Sequence, residues 1–152
     1  MPTSHIITFA IFAGLTILAA LVGSQFMPGE WYATLQKPAW TPPGWLFAPV
    51  WSLLYLMIAV SGWLAWRACG LGLATSLWFV QMAANALWSY LFFGLHRIDL
   101  ALVDIVFLLV VIVTYAVVVW PRARAAALLF VPYAFWVGFA SLLNGAIWRL
   151  NT

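Results

Sequence analysis

The chain has 152 residues, of which 67% are hydrophobic and only 6% carry a formal charge. Soluble globular domains average about 25% charged residues, so this composition excludes an ordinary water-soluble domain and requires lipid as the solvent. Six Lys and Arg residues against three acids give a net charge of +3, but the cations are spread along the chain. Because nucleic-acid binding requires a contiguous basic surface, nucleic acid is excluded as a partner.

Five hydrophobic runs follow one another along the chain, and charged residues or prolines mark their ends. A helix needs roughly 20 apolar residues to cross a bilayer, and each run reaches that length. The predicted spans are about 6–26, 45–66, 73–95, 100–120 and 126–148. The sequence therefore predicts an all-α integral membrane protein, a multi-pass bundle of five transmembrane helices that forms a single membrane domain over residues 1–152.

The connection between the first two spans, residues 27–44, is unlike the other, shorter connections. Its sequence, MPGEWYATLQKPAWTPPG, contains four prolines, two tryptophans and a tyrosine. Residues 30–36 can form one short helix, which the following prolines interrupt. Since Trp and Tyr favour the depth of the membrane interface, we expect a folded cap that lies against the mouth of the bundle.

Few ionisable side chains are available for conventional catalysis. His5 and His96 lie near the ends of different spans without Cys or acidic neighbours in a cluster, and no known phosphate, nucleophile or metal motif occurs. We therefore expect no metal site and no required cofactor. Asp104 is the one acid well inside a span, where carboxylates usually face a partner or a cavity. We expect it near the interface with Arg97 or Arg149 as donor, and a ligand or proton-relay role is the alternative.

Polar and aromatic side chains recur at helical spacing on three of the spans. They are Trp51, Tyr55, Gly62 and Trp66 on the second span, Trp78, Gln81, Asn85, Trp88 and Phe92 on the third, and Tyr133, Trp136, Ala140, Asn144 and Trp148 on the fifth. Steps of three or four residues place each set on one helix face. Packing alone can explain any one set, but the three sets and the aromatic loop together favour a ligand chamber inside the bundle.

Small residues also recur four positions apart on the first and fifth spans. The pairs are Ala10 and Gly14, Ala19 and Gly23, Ala134 and Gly138, and Ser141 and Gly145. Such spacing lets helix backbones approach closely in a membrane. We expect these residues to pack inside the protomer, with contacts between two copies as the alternative.

Several segments match a known family in order and spacing over nearly the whole chain. They are WYATLQKPAWTPPGWLFAPVW (31–51), NALWSYLFFG (85–94), ALVD (101–104), VPYAFW (131–136), LN (143–144) and WR (148–149). These segments resemble the translocator protein family, also called tryptophan-rich sensory proteins or peripheral benzodiazepine receptors. The resemblance implies a five-helix bundle, often a homodimer, that binds porphyrins such as protoporphyrin and haem, and benzodiazepine-type or isoquinoline drugs.

Carried over by position, the resemblance also implies a set of ligand-binding residues. The set is Tyr32, Pro42, Trp51, Tyr55, Asn85, Trp88, Trp136 and Ala140. The implied function is that of a membrane receptor, sensor or carrier for porphyrins. The alternative is a photo-oxidase that degrades protoporphyrin in light by tryptophan radical chemistry. Only that alternative assigns catalytic residues, and they are Trp51 and Trp136.

One segment departs from the animal members of the family. Their cholesterol motif at the end of the fifth span requires a Tyr between an aliphatic and a basic residue, whereas residues 143–149 read LNGAIWR. Such motifs are weak evidence even when complete. The departure argues against high-affinity cholesterol binding and favours a bacterial-type protein in a bacterial membrane.

Overall fold

This computed structural model describes residues 2–152, with side chains from Ser4 onward. All regular elements in that range are helical. The α-helices are α1 (Pro2–Ser24), α2 (Glu30–Thr34), α3 (Phe47–Cys69), α4 (Leu73–Ser89), α5 (Ile98–Val119) and α6 (Arg124–Leu150). A 3₁₀ turn at Gly44–Leu46 precedes α3, and a π-helical turn at Tyr90–Gly94 follows α4. The predicted all-α class is confirmed.

Four helical segments within residues 2–152 are long and apolar enough to cross a membrane. They are Ser4–Ser24, Gly44–Cys69, Ile98–Val119 and Arg124–Leu150, and their ends lie within about one helical turn of the predicted spans. The third predicted span, 73–95, is divided, because α4 ends after 17 residues and the π turn carries the chain on to Gly94. A membrane helix bundle is thus confirmed, although length and hydropathy alone support four spans and not the predicted five.

The π turn has a local physical cause. The amide of Leu95 donates to the carbonyl of Tyr90 at 2.8 Å, and that of Arg97 donates to the carbonyl of Leu91 at 2.9 Å, so the last turn is wound more widely than an α-helix. A Cβ atom at Gly94 would lie 2.9 Å from Phe26 Cδ1. The glycine therefore lets Phe26, two residues beyond the end of α1, approach the π turn. Such turns are frequent at functional sites.

The helices pack as antiparallel neighbours around an aromatic interior. The most extensive packing joins α5 to α6 and to α4, and α3 packs against α1 and α6. Trp78, Tyr115 and Tyr133 are fully buried where these helices meet. The outer faces are equally apolar, with Phe135 77% exposed, because lipid and not water surrounds them.

The small residues divide between packed and open positions. A Cβ at Gly23 would lie 3.5 Å from Ser89 Oγ, and one at Gly145 would lie 3.8 Å from Leu102 Cδ1. At Gly14 and Gly138, by contrast, an added Cβ would meet nothing within 4 Å. The expectation of packing inside the protomer is therefore confirmed for the first two glycines and wrong for the other two, which face outward.

The loop between α1 and α3 is folded, as predicted, and it lies on the π turn. The Trp31 ring stacks on His96 with centroids 4.1 Å apart and planes 10° apart. Tyr32 meets Phe93 edge to face at 5.5 Å, and Lys37 Nζ lies 4.5 Å above the Tyr32 ring. The aromatic residues of the loop thus form a cap over one end of the bundle.

Candidate functional site

A chain of hydrogen bonds joins three helices in the middle of the bundle. The Tyr55 hydroxyl on α3 donates to Asn85 Oδ1 on α4 at 2.9 Å, and Asn85 Nδ2 donates to the Tyr133 hydroxyl on α6 at 2.8 Å. Tyr133 in turn donates to Gln81 Oε1 at 2.9 Å. Because unpaired polar groups are costly in an apolar interior, this network fixes how α3, α4 and α6 face one another.

Two tryptophans of the predicted set lie near this network: Trp51 contacts two of its tyrosines, and Trp136 follows Tyr133 by three residues on α6. The Trp51 ring is 5.4 Å from Tyr55 and 6.3 Å from Tyr133. The Trp136 ring meets Phe47 edge to face at 5.7 Å, and its buried Nε1 has no hydrogen-bond partner among the residues described. The site therefore offers aromatic faces together with an unused indole donor.

A groove beside Trp136 opens between α3 and α6. Its volume is about 390 Å³, within the range of about 300–1,000 Å³ that is typical of small-molecule sites, and its walls are Val50, Leu53, Leu54, Pro132, Phe135, Trp136 and Phe139. Leu53 and Phe135 are exposed, so the groove is open to the surrounding lipid. A hydrophobic molecule can reach Trp136 from the membrane without crossing water.

Other residues of the predicted set lie nearer the cap. Trp88 Nε1 donates to Asn144 Oδ1 at 3.0 Å, and the Trp88 ring stacks on Phe92 at 5.1 Å. Tyr32 contacts the same Phe92 from the loop at 6.1 Å. The predicted residues thus form two neighbouring groups joined through α4, one around Asn85 and one around Phe92.

The two remaining residues of that set, Pro42 and Ala140, are half-buried. Ala140 lies one turn beyond Trp136 on α6 and packs against the main core. The sequence-based set omitted Gln81 and Tyr133, although both belong to the polar and aromatic stripes. Their helical spacing from Asn85 and Trp136 was the signal that could have identified them.

The stripes are also partly structural. Trp78 Nε1 donates to the carbonyl of Ile58 at 2.9 Å, and the ring is packed against Gly62. The parts of the second-span and third-span stripes that contain Gly62 and Trp78 are therefore helix packing and not part of a chamber.

The prediction that Arg97 or Arg149 donates a hydrogen bond to Asp104 is wrong. Arg97 instead binds Asp99, with Nε–Oδ1 and Nη2–Oδ2 distances of 2.9 and 2.6 Å, because Asp99 is only two residues away at the start of α5. Asp104 lies more than a turn deeper and is 8% exposed. Its Oδ2 atom has no hydrogen-bond partner within residues 2–152, and neither Arg97 nor Arg149 reaches it.

The cap has its own electrostatics. Partial burial raises the pKa of the Tyr32 hydroxyl, because the anionic form would lose its hydration. The hydroxyl therefore remains a neutral group at physiological pH, able to donate a hydrogen bond. The Lys37 ammonium above the ring adds a cation–π contact.

The C-terminal end of the chain holds the cap in place. The backbone N–H of Gln36 donates to Asn151 Oδ1 at 3.0 Å, and Asn151 Nδ2 donates to the backbone carbonyl of Gln36 at 2.9 Å. This pair of bonds joins residues 115 positions apart in the sequence, and no sequence motif predicted it. It ties the end of α2 to the end of α6.

Replacing Asn151 with Ala should loosen the cap. Each lost hydrogen bond contributes about 0.5–1.5 kcal/mol, so we expect amide hydrogen exchange in residues 30–36 to accelerate by about tenfold. Thr152→Ala is the matched control, since its hydroxyl bonds only to the Trp148 carbonyl within the last turn. Equal exchange in the two variants would contradict the role given to Asn151.

Comparison with known proteins gives one consistent result. The family model described as TspO/MBR matches residues 7–149. Protein CrtK of Rhodobacter capsulatus is 39% identical over 150 residues, which cover 94% of this chain and 92% of the relative. Tryptophan-rich protein TspO of Chlorobaculum tepidum is 40% identical over 97% of this chain and 98% of its own. Human translocator protein is 37% identical over 88% of this chain and 84% of its own.

Proposed function

Because the chain belongs to the TspO/MBR family of membrane proteins, we propose that it is a membrane receptor or carrier for protoporphyrin and haem. The ligand lies between the Trp51 and Trp136 rings and reaches them from the lipid. The observation that carries this proposal is the buried Trp136 Nε1 without a partner, beside a groove of about 390 Å³.

The unused indole donor favours a ligand with an acceptor. A buried donor without a partner costs about 1–3 kcal/mol, and a bound molecule that accepts its hydrogen bond removes that cost. A porphyrin combines nitrogen and carboxylate acceptors with a broad apolar face. Aromatic side chains stabilise such a face by burial and by offset or edge-to-face contacts.

The hydrogen-bonded network supports the same ligand class. Asn85 already bonds Tyr55 and Tyr133, so the interior behind Trp51 is closed by polar contacts. Tyr55 and Gln81 are the two end members of this network, each held in it by one hydrogen bond. We place the contact of the ligand with the network at Tyr55, whose ring also meets Trp51 and whose hydroxyl donates to Asn85 Oδ1. Breaking that bond would free an amide oxygen for a polar group of the ligand, which couples binding to a change in the bundle.

Titration of the purified protein in nanodiscs with protoporphyrin, haem and cholesterol tests the proposal. We expect saturable quenching of tryptophan fluorescence by both tetrapyrroles and little effect of cholesterol. Trp136→Phe keeps an aromatic ring but loses the donor, so protoporphyrin affinity should fall by about tenfold or somewhat less.

Trp63→Phe is the control for that substitution. Trp63 also has a buried Nε1 without a partner in the part of the chain described, but it lies near the other end of α3, under Arg67. Its replacement should leave protoporphyrin binding unchanged. Wild-type affinity in both variants would refute the placement of the ligand at Trp136.

A second candidate function is light-dependent oxidation of protoporphyrin. Trp51 is in contact with two tyrosine rings, at 5.4 and 6.3 Å, and all three side chains are oxidisable. In this mechanism the excited macrocycle takes one electron from Trp51 and passes it to dioxygen, which becomes superoxide. The Trp51 radical cation then takes one electron from the macrocycle, so that in total one electron moves from protoporphyrin to dioxygen and the indole is restored. Binding is the prerequisite for both functions.

A further inference from the structure

The lipid-facing side of α5 and α6 carries a second groove, of about 850 Å³. Its floor contains small residues, among them Ala116, Ala134 and Gly138, and Val117 and Phe135 form exposed walls. No charged side chain lines it. The open position at Gly138, where a Cβ would meet nothing within 4 Å, lies on this floor.

The groove runs lengthwise along α5 and α6, two helices long and apolar enough to cross a membrane. It extends along α6 from Ala127 to Leu142, which at about 1.5 Å per residue is about 22 Å. One leaflet contributes about half of the roughly 30 Å hydrocarbon thickness. The groove is therefore longer than the roughly 15 Å of one leaflet and can hold an extended acyl chain through that leaflet.

One end of the groove lies beside unpaired cations. Trp120 lines that end, and the Arg124 guanidinium lies 5.6 Å from its ring. Arg122 and Arg124 are exposed, and within residues 2–152 the one ion pair is that of Arg97 and Asp99, at the opposite end of α5. Neither arginine therefore has a carboxylate partner.

The whole face at this end of the bundle is positive. The third helix ends here with Arg67 in its last turn, while the three acids of the chain, Glu30, Asp99 and Asp104, lie in the cap or at and inside the other end of α5. Arginine binds phosphate oxygens through paired N–H donors. The apolar groove matches the acyl chain of a lipid, and its cationic end matches an anionic headgroup.

We propose that this groove is a binding site for an anionic phospholipid, with one acyl chain along α5 and α6 and the headgroup phosphate at Arg122 and Arg124. The charge selects the headgroup, since cations near a lipid surface attract anionic lipids. The small residues of the floor give the chain close contact over its length, which is the main attraction available in a membrane. The lipid groove shares Phe135 and Phe139 with the Trp136 groove, but it lies between α5 and α6 and not between α3 and α6. The proposal does not depend on the porphyrin function.

Lipid binding by the purified full-length protein tests the headgroup part of the proposal. Native mass spectrometry after addition of phosphatidylglycerol or phosphatidylcholine of equal chain length measures the preference. We expect the wild-type protein to retain phosphatidylglycerol at least about tenfold more tightly, and the double substitution of Arg122→Gln with Arg124→Gln to remove that preference. Arg149→Gln, at the other end of α6, should retain it. A preference that survives the double substitution would overturn the proposal.

Substitution of the groove floor tests the acyl-chain part. Gly138→Leu should lower retention of phosphatidylglycerol by several fold, whereas Gly14→Leu, on an equally open position of α1, should not. Unchanged retention in Gly138→Leu would overturn the placement of the chain. A third result would also overturn it: the wild-type protein shows no headgroup preference and is a dimer, and Gly138→Leu dissociates that dimer. The groove would then bind a second copy of the chain and not a lipid.

Discussion

Gly62→Ala is expected to destabilise the bundle by about 1–3 kcal/mol or more, the usual range for overpacking a well-filled interior. An added Cβ would lie 2.5 Å from Cε2 and Nε1 of Trp78 and 2.7 Å from Cδ1 of Phe12. Trp78 cannot yield easily, because its ring is fully buried and its Nε1 donates to the Ile58 carbonyl. The three helices α1, α3 and α4 would have to separate.

Thermal unfolding in detergent, followed by near-ultraviolet circular dichroism, measures this effect. Gly14→Ala and Gly138→Ala are matched controls, since their Cβ atoms would meet nothing within 4 Å. These two should be as stable as wild type or slightly more so, because Ala is favoured over Gly in a helix by about 0.5–1 kcal/mol. A Gly62→Ala protein as stable as the controls would show that α3 and Trp78 are not in close contact.

Trp51→Ala is expected to lower protoporphyrin affinity by about 10- to 100-fold. The ring lies against Tyr55 and Tyr133, beside the proposed ligand. Its removal eliminates the apolar surface that the ligand buries and the aromatic contacts with the ligand, about 1.5–3 kcal/mol together. Fluorescence titration in nanodiscs gives the dissociation constant. Trp45→Ala is the control, because Trp45 is 73% exposed and lies outside the proposed site.

Trp51→Phe separates the two candidate functions. The variant keeps an aromatic ring, so binding should weaken only by a few fold, but phenylalanine is much harder to oxidise than tryptophan. If the protein is a photo-oxidase, illumination in the presence of oxygen should degrade bound protoporphyrin with the wild type and not with Trp51→Phe. Equal bleaching with both proteins would leave the binding function alone.

Several parts of the fold follow from the sequence without the tertiary structure. The lengths of the hydrophobic runs predict the spanning helices, because the thickness of the hydrocarbon core sets the number of residues needed. Prolines and glycines locate the ends, as at Gly70, which follows α3 with a φ of +61°. Helical spacing also places Trp51 and Tyr55 on one face, and their rings are indeed in contact.

The division of the third span could not be foreseen. Run length counts residues 73–95 as one helix, and nothing in the hydropathy of residues 90–94 distinguishes a π turn from an α-helix. The wider winding depends on the hydrogen bond from Leu95 to Tyr90 and on the approach of Phe26 to Gly94. Both are contacts between folded parts of the chain.

The ligand-binding set stays a prediction, and the structure shows what sequence reasoning could not decide about it. Gly62 and Asn85 belong to similar stripes, yet Gly62 packs against Trp78 whereas Asn85 joins Tyr55 to Tyr133. Asp104 was expected to have an arginine partner, and none reaches it. Which neighbour each residue meets depends on how the helices are rotated about their axes.

Composition, run length and turn residues therefore determined by themselves that this chain is a helical membrane bundle with a folded aromatic cap. The tertiary structure decided which faces turn inward. In a water-soluble helix the apolar face identifies the interior, but here lipid is as apolar as the core. Inward and outward faces consequently have similar composition, and only the packing shows that Gly138 faces the lipid while Asn85 and Tyr133 face each other.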